Sequence, residues 1–230
     1  MWFFKKTEGV NKAPSVPVSE RKNIPLPLYR ATVSVDCFDN RITQSGACGV
    51  SVGDVGYIVF AESSNTNTKH KNAVVFINDV DCGFLPSVVG DCIFDVYHDT
   101  KYPCTVAAVS YGELPALSVD IMLPFVYNTK GLPLPVTLSS ESNATHQASI
   151  RESAEQDYVS VKYNAQADAF EVFNLSIGKS LGRLSDIAAD KIRKKHKKVM
   201  SFYGTITRMS TIYDRITLTP SILLLTIAEG

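Results

Sequence analysis

Twenty consecutive residues carry eight basic side chains, Lys179, Arg183, Lys191, Arg193, Lys194, Lys195, Lys197 and Lys198, against only Asp186 and Asp190. Phe202 and Tyr203 follow at once. Cations that can hold phosphates, set beside rings that can stack bases, are the chemistry of a single-strand groove, where each stacked base contributes ~1–3 kcal/mol. The bland alternative is a solvated helix end, since cations favour a helix C-terminus through its dipole. Six net positive charges in this stretch exceed what a cap requires, so phosphate contact is the working expectation.

Catalytic constellations are not found. His70, His98, His146 and His196 form no pair with metal-ligand spacing. Gly178-Lys179-Ser180 has three letters of a phosphate loop but lacks the upstream glycine. Asp79-Val80-Asp81 pairs two carboxylates in a stretch where a hairpin turn favours such residues anyway. No cysteine has a basic partner near it in sequence. The chain is therefore expected to be non-enzymatic, with no cofactor and no metal.

The elements that position the basic stretch occur twice. Ala73-Val74-Val75-Phe76 leads to Cys82-Gly83-Phe84-Leu85, and Ala169-Phe170-Glu171-Val172-Phe173 leads to Leu181-Gly182-Arg183-Leu184. Each reads as a strand, a polar turn, a short glycine-bearing strand and then a helix. Leu85 to Leu184 and Asp91 to Asp190 are steps of 99, and Ala73 to Ala169 is a step of 96. That implies a three-residue turn insertion, which Ile177-Gly178-Lys179 would supply. Leu85, Val89, Ile93 and Tyr97 share one helix face, as do Leu184, Ala188, Ile192 and His196. Ser87 and Ser185 are expected to cap the two helices. Further strands are expected at 104–111, 117–123, 200–207 and 215–218, and six or so short strands per copy suit a small barrel, which removes sheet edges. The expected fold is mainly β, a β-rich α+β arrangement of two tandem β-barrel-like units with one or two short helices each. The units span 26–127 and 132–230, after a flexible segment 1–25 whose Pro14, Pro17 and Pro25 read as a linker.

Composition fits this reading. Of 230 residues 45% are hydrophobic and 20% charged, as in an ordinary globular chain. Net charge is zero, yet residues 1–135 hold 11 Lys+Arg against 13 Asp+Glu, and residues 136–230 hold 12 against 10. Five cysteines, all in the first half and without close pairs, point to buried thiols in a reducing, cytoplasmic setting. Asn143-Ala144-Thr145 then fits the glycosylation pattern by chance. No run approaches the length of a membrane span, and Met1-Trp2-Phe3-Phe4 is too short for a signal-peptide core.

The stretch Asn67-Thr68-Lys69-His70-Lys71-Asn72-Ala73-Val74-Val75-Phe76, followed by Cys82-Gly83-Phe84-Leu85-Pro86, resembles the HIRAN domain. The pattern is a polar loop, Asn-Ala, a hydrophobic strand, then a glycine strand opening a helix. Asp168-Ala169 to Gly182-Arg183-Leu184 looks like a more divergent copy. The resemblance implies a compact β-barrel module without catalysis of its own, found beside Snf2-type ATPases and nucleases, that binds single-stranded DNA at its 3′ end. Carried over residue by residue, it implicates Lys69, His70, Lys71 and Phe84 in the first copy and Arg183 in the second. The Asn-Pro-Tyr-Asp of many family loops is replaced by Asn67-Thr68-Lys69-His70, so the aromatic and acidic residues that would hold a terminal hydroxyl are absent.

The expected function is thus a nucleic-acid-binding accessory module, for single-stranded DNA or DNA ends. The alternative is a protein-interaction adaptor that keeps the fold without the ligand. The first helix carries Asp91, Asp95 and Asp99 where the second carries Lys191, Lys194, Lys195 and Lys198, so the two copies could also dock on each other and cover the basic patch.

Overall fold

The computed structural model describes residues 22–37, 49–62, 71–98, 101–111, 116–139, 143–211 and 217–228. The segment 1–21 and the loop holding Lys69 and His70 lie outside the described residues.

Alternation of apolar and polar residues builds the first half. In β1 (Tyr29–Cys37) Ala31, Val33 and Val35 point inward between Arg30, Thr32 and Ser34. β6 (Ala116–Leu123) answers with Leu117, Val119, Ile121 and Leu123, so each strand has one buried face. Between them come β2 (Val55–Glu62), β3 (Lys71–Ile77), β4 (Val80–Phe84), α1 (Ser87–Tyr97) and β5 (Tyr102–Ser110). Asn78 and Asp79, both at positive φ, make the two-residue turn between β3 and β4. The six strands form a closed barrel in the order β1-β4-β3-β2-β5-β6. β1 pairs with β6 from Tyr29 to Val35 and with β4 at its end, through Asp36↔Phe84 and Cys37↔Gly83.

The second half repeats the order. It comprises β7 (Leu134–Thr137), α2 (Ala144–Glu152), β8 (Tyr158–Asn164), β9 (Ala169–Asn174), β10 (Lys179–Arg183), α3 (Asp186–Lys195), β11 (Ser201–Thr211) and β12 (Leu218–Ile227). The sheet runs β10-β9-β8-β11-β12-β7, which is the first sheet's order with each strand replaced by its counterpart. Its two edges meet at a single bridge, Leu138↔Leu184, flanked by Ser139 N–H donating to the Arg183 carbonyl and Ser185 N–H donating to the Thr137 carbonyl.

Register agrees as closely as order. Val75 faces Gly83 before a bulge that skips Cys82, and Val172 faces Gly182 before one that skips Leu181. The ladder between β5 and β6 shifts between Val106 and Ala108, and that between β11 and β12 between Ile206 and Arg208. Bulges at matching places re-aim the same side chains in both sheets.

Register also corrects the expected repeat. Phe60 pairs with Ala73, and Tyr163 pairs with Phe170, so the counterpart of buried Ala73 is buried Phe170 and not the partly exposed Ala169. The step is 97, and the insertion is two residues. It lies in the turn, where Leu175-Ser176-Ile177-Gly178 replaces Asn78-Asp79. A one-residue slip would have put every side chain of β9 on the wrong face.

The helices follow the expected faces. Val89 and Ile93 in α1, and Ala188 and Ile192 in α3, are buried. The caps differ from expectation: Ser185 caps α3 by accepting from Ala188 N–H, but α1 begins after Pro86 without a side-chain cap, and Ser87 is its first residue. The Pro86 carbonyl instead accepts from Val89 N–H at 2.9 Å and Gly90 N–H at 3.0 Å. The strand expected at 215–218 is β12, which runs from Leu218 to Ile227.

β12 joins the halves. Ile222 and Leu224 point into the second core, while Leu223 and Leu225 belong to the first. A buried leucine contributes roughly 1.5–3 kcal/mol, so this strand fastens two cores at once. α1 also touches β11, Lys22 N–H donates to the Ser176 carbonyl, and His98 lies 3.5 Å from Glu155.

Candidate nucleic-acid interface

The basic stretch divides into three parts. Lys191, Lys194 and Lys195 lie on exposed faces of α3, and Lys197 and Lys198 lie exposed in the turn beyond it. The helix ends where His196 becomes buried, with its ring edge-on to Phe202 at 5.4 Å and Nε2 3.4 Å from the Gly131 carbonyl. That anchor fixes the direction in which the last turn presents its lysines. Among the described residues these five lysines form no ion pair. The acidic helix α1 therefore does not cover them, and the expected docking of one helix's charges on the other's is not the arrangement of the described residues.

Arg193 is committed elsewhere. It donates to the Asp168 carboxylate at 2.9 Å and to the Asp168 carbonyl at 3.1 Å, and lies 3.5 Å from Asp190. Tyr163 also donates to Asp168, at 2.7 Å, which pushes the tyrosine's pKa upward. These bonds pin the tight turn between β8 and β9, in which Asp168 sits at positive φ.

Tyr203 is likewise engaged. Its neighbour Phe202 fills the core, and its own ring stacks on Tyr158 at 5.3 Å. Burial, then Tyr203 and Tyr29, push Tyr158 up to about 12. Tyr29 belongs to the first half, so this aromatic cluster faces that half.

The residues implicated by resemblance are dispersed. Phe84 is half-buried, with Asp36 on one side and Val74 on the other. Lys71 opens β3. Arg183 is the counterpart of Phe84, as expected, and is exposed at the end of β10. Ten residues of helix separate it from His196, about 15 Å along the axis, so Arg183 and the lysines occupy opposite ends of α3.

At the Arg183 end lies a cavity of about 300 Å³, at the seam where β7 meets β10. Ser139 and His146 line one side; Glu171, Ser180, Gly182 and Arg183 line the other. α2, which has no counterpart among the described residues of the first half, packs along β10 and holds the seam apart. Asn143 caps it by accepting from His146 N–H at 2.8 Å. Gln147 fastens it to β12 through paired bonds with Leu218, and Lys179 bridges to Glu152 at 2.7 Å. Sequence reasoning missed this cavity because its walls come from segments some forty residues apart. The available signal was the change of the cross-strand pair Val74 and Phe84 into Glu171 and Arg183.

The fold and its sites define a class in structural terms: paired six-stranded antiparallel sheets of one topology, the first a closed barrel, the second carrying an exposed lysine cluster. Compared with known proteins, the chain matches no family model, no curated protein and no solved structure. No helix among the described residues is long and apolar enough to cross a membrane, and no cluster of metal-binding side chains occurs among them.

Proposed function

We propose that the chain is a non-enzymatic nucleic-acid-binding module that grips phosphates with Lys191, Lys194, Lys195, Lys197 and Lys198. The observation that carries this reading is their joint exposure on one anchored helix end without ion-pair partners among the described residues. Lys194 and Lys195 also stabilise the helix through its dipole, but Lys197 and Lys198 lie beyond the helix, where that explanation is weaker. With Tyr203 stacked on Tyr158, the interface offers charge without a free ring from that residue. Backbone tracking follows, with little preference among bases. The resemblance to HIRAN domains agrees with a binding role on single strands or DNA ends in a cytoplasmic setting.

Fluorescence anisotropy with a labelled single-stranded oligonucleotide tests this. Lys194→Gln, Lys195→Gln, Lys197→Gln and Lys198→Gln together should abolish binding at low salt. Lys69→Ala and His70→Ala should leave it intact; loss of binding on those two changes alone would move the interface to the first half. A protein-interaction adaptor is the second reading, favoured by the commitment of Arg193 and Tyr203 to internal contacts. It takes over if the unaltered protein binds no oligonucleotide.

A further inference from the structure

The lysine end of α3 does not stand alone. The linker between the halves lies against it: a Cβ on Gly131 would sit 2.9 Å from His196 Nε2 and 3.4 Å from Lys195 Cδ. Gly131 is also at positive φ, so glycine is what lets the linker approach the helix end this closely. Thr129 N–H donates to the Val126 carbonyl at 3.3 Å, and Leu132 N–H donates to the Thr129 carbonyl at 3.2 Å. These turns fix the linker beside the lysines. Lys130, which adjoins Gly131, is exposed and forms no ion pair among the described residues. It adds a sixth cation at this end from a separate segment, one that counting charge over 179–198 could not include.

The described rings at this end are engaged. Phe202 fills the core, Tyr203 stacks on Tyr158, and Tyr163 is held by Asp168 with its ring 5.3 Å from that of Phe170. Tyr127 of the linker packs on the first core. The exposed ring of Phe173 lies five residues beyond Asp168, about 17 Å along the strand. Single strands are held where bases find stacking platforms, and the described part of this surface offers cations instead. Those cations are also closely spaced. Lys191 to Lys195 cover about 6 Å of helix, and Lys198 lies at most about 10 Å further on. A stacked strand carries one phosphate per ~3.4 Å and a duplex one per ~1.7 Å. One strand would have to turn every phosphate toward the cluster, whereas a duplex presents about twice as many.

We propose that the ligand of this surface is the backbone of a double helix, and that Lys130 grips it together with the lysines of the α3 end. The inference rests on the nucleic-acid reading and names the form of nucleic acid. Contacts of this kind position a duplex without reading its bases, so binding follows charge and strand number more than sequence.

Fluorescence anisotropy of the full chain with a short blunt DNA duplex, and with one of its strands alone, tests this over a range of salt. The duplex should bind about tenfold more tightly than the strand at equal salt, with a slope of log K against log salt of about −5.4 for six lysines. Lys130→Gln, at an exposed position, should weaken duplex binding about eightfold at ~0.1 M salt and bring the slope to about −4.5. A strand bound as tightly as the duplex overturns the choice of ligand and leaves the nucleic-acid reading standing. Failure of both probes to bind overturns that reading and this inference together. Affinity and slope unchanged by Lys130→Gln overturn the linker's part in the grip.

Discussion

The closed barrel and the second sheet are two solutions from one strand order. Their ladders share a bulge beside Gly83 and Gly182 and another after Val106 and Ile206, with one further bulge at Tyr203 in the second sheet alone, yet three regions have parted. The seam is sealed by β1 in one and held open by α2 in the other. An apolar position of the first core, Ile77, corresponds to Asn174 in the second, where a buried network has formed: Asn174 donates to Asp157 at 2.8 Å and to Ser153 at 2.9 Å and accepts from Ser176 N–H at 2.9 Å. The outer face also differs. Leu223, which packs on the first core, corresponds to Asp120, which does not. Thr32 and Arg30 bond Asp120 and hold its carboxyl below the usual range. Register is what a fold must keep, and surface, seam and a single core layer are where chemistry can be varied.

The outer face gives the largest contrast. Leu225→Asp puts an unpaired charge into the junction between the cores and should cost about 4 kcal/mol or more. Met122→Asp, at an exposed position of β6, should be nearly silent. Urea denaturation of both variants checks this, and equal costs would mean that β12 does not join the halves.

The core layer comes next. Ile77→Asn buries an amide with no network to receive it, at about 3 kcal/mol. Asn174→Ile removes the amide that bonds Asp157, Ser153 and Ser176, at about 2 kcal/mol. If Asn174→Ile were instead stabilising, the polar layer would be a cost the second sheet bears for another reason.

The seams give a smaller contrast. Gly83→Ala drives a methyl into the Asp36 backbone and should cost about 3 kcal/mol, with strain at positive φ included. Gly182→Ala meets only a side chain that can turn aside, so about 1–2 kcal/mol is expected. Thermal unfolding ranks them, and the reverse order would contradict the closed and open seams.

The smallest effect is chemical. Burial pushes the Cys104 thiol up to about 12 and raises Cys92 further. Both should stay unmodified by iodoacetamide at pH 8 in the native state and react after unfolding, as read by mass spectrometry.

Much of this fold was legible because helix faces and glycine strands recur at a constant step. Leu85 with Leu184, and Gly83 with Gly182, sit where the spacing put them. Matching Ala73 to Ala169 failed because identity of a small residue is weak beside register, which places large Phe170 where small Ala73 lies. Ser87 misled because the N-cap position falls on Pro86, which places Ser87 inside the first turn. Of the interface, the lysines could be found by counting charge, but the engagement of Arg193 with Asp168 and of Tyr203 with Tyr158 depends on partners 25 and 45 residues away. The seam cavity was invisible because its walls come from α2 and β10, which are some forty residues apart in sequence and meet only in the fold.

The salt dependence of oligonucleotide binding tests the central claim most directly. Five lysines on phosphates predict a slope of log K against log salt of about −3.5 for a single strand, falling toward zero when Lys194, Lys195, Lys197 and Lys198 become glutamine. A slope near zero in the unaltered protein, or one that the glutamine substitutions leave unchanged, would contradict it.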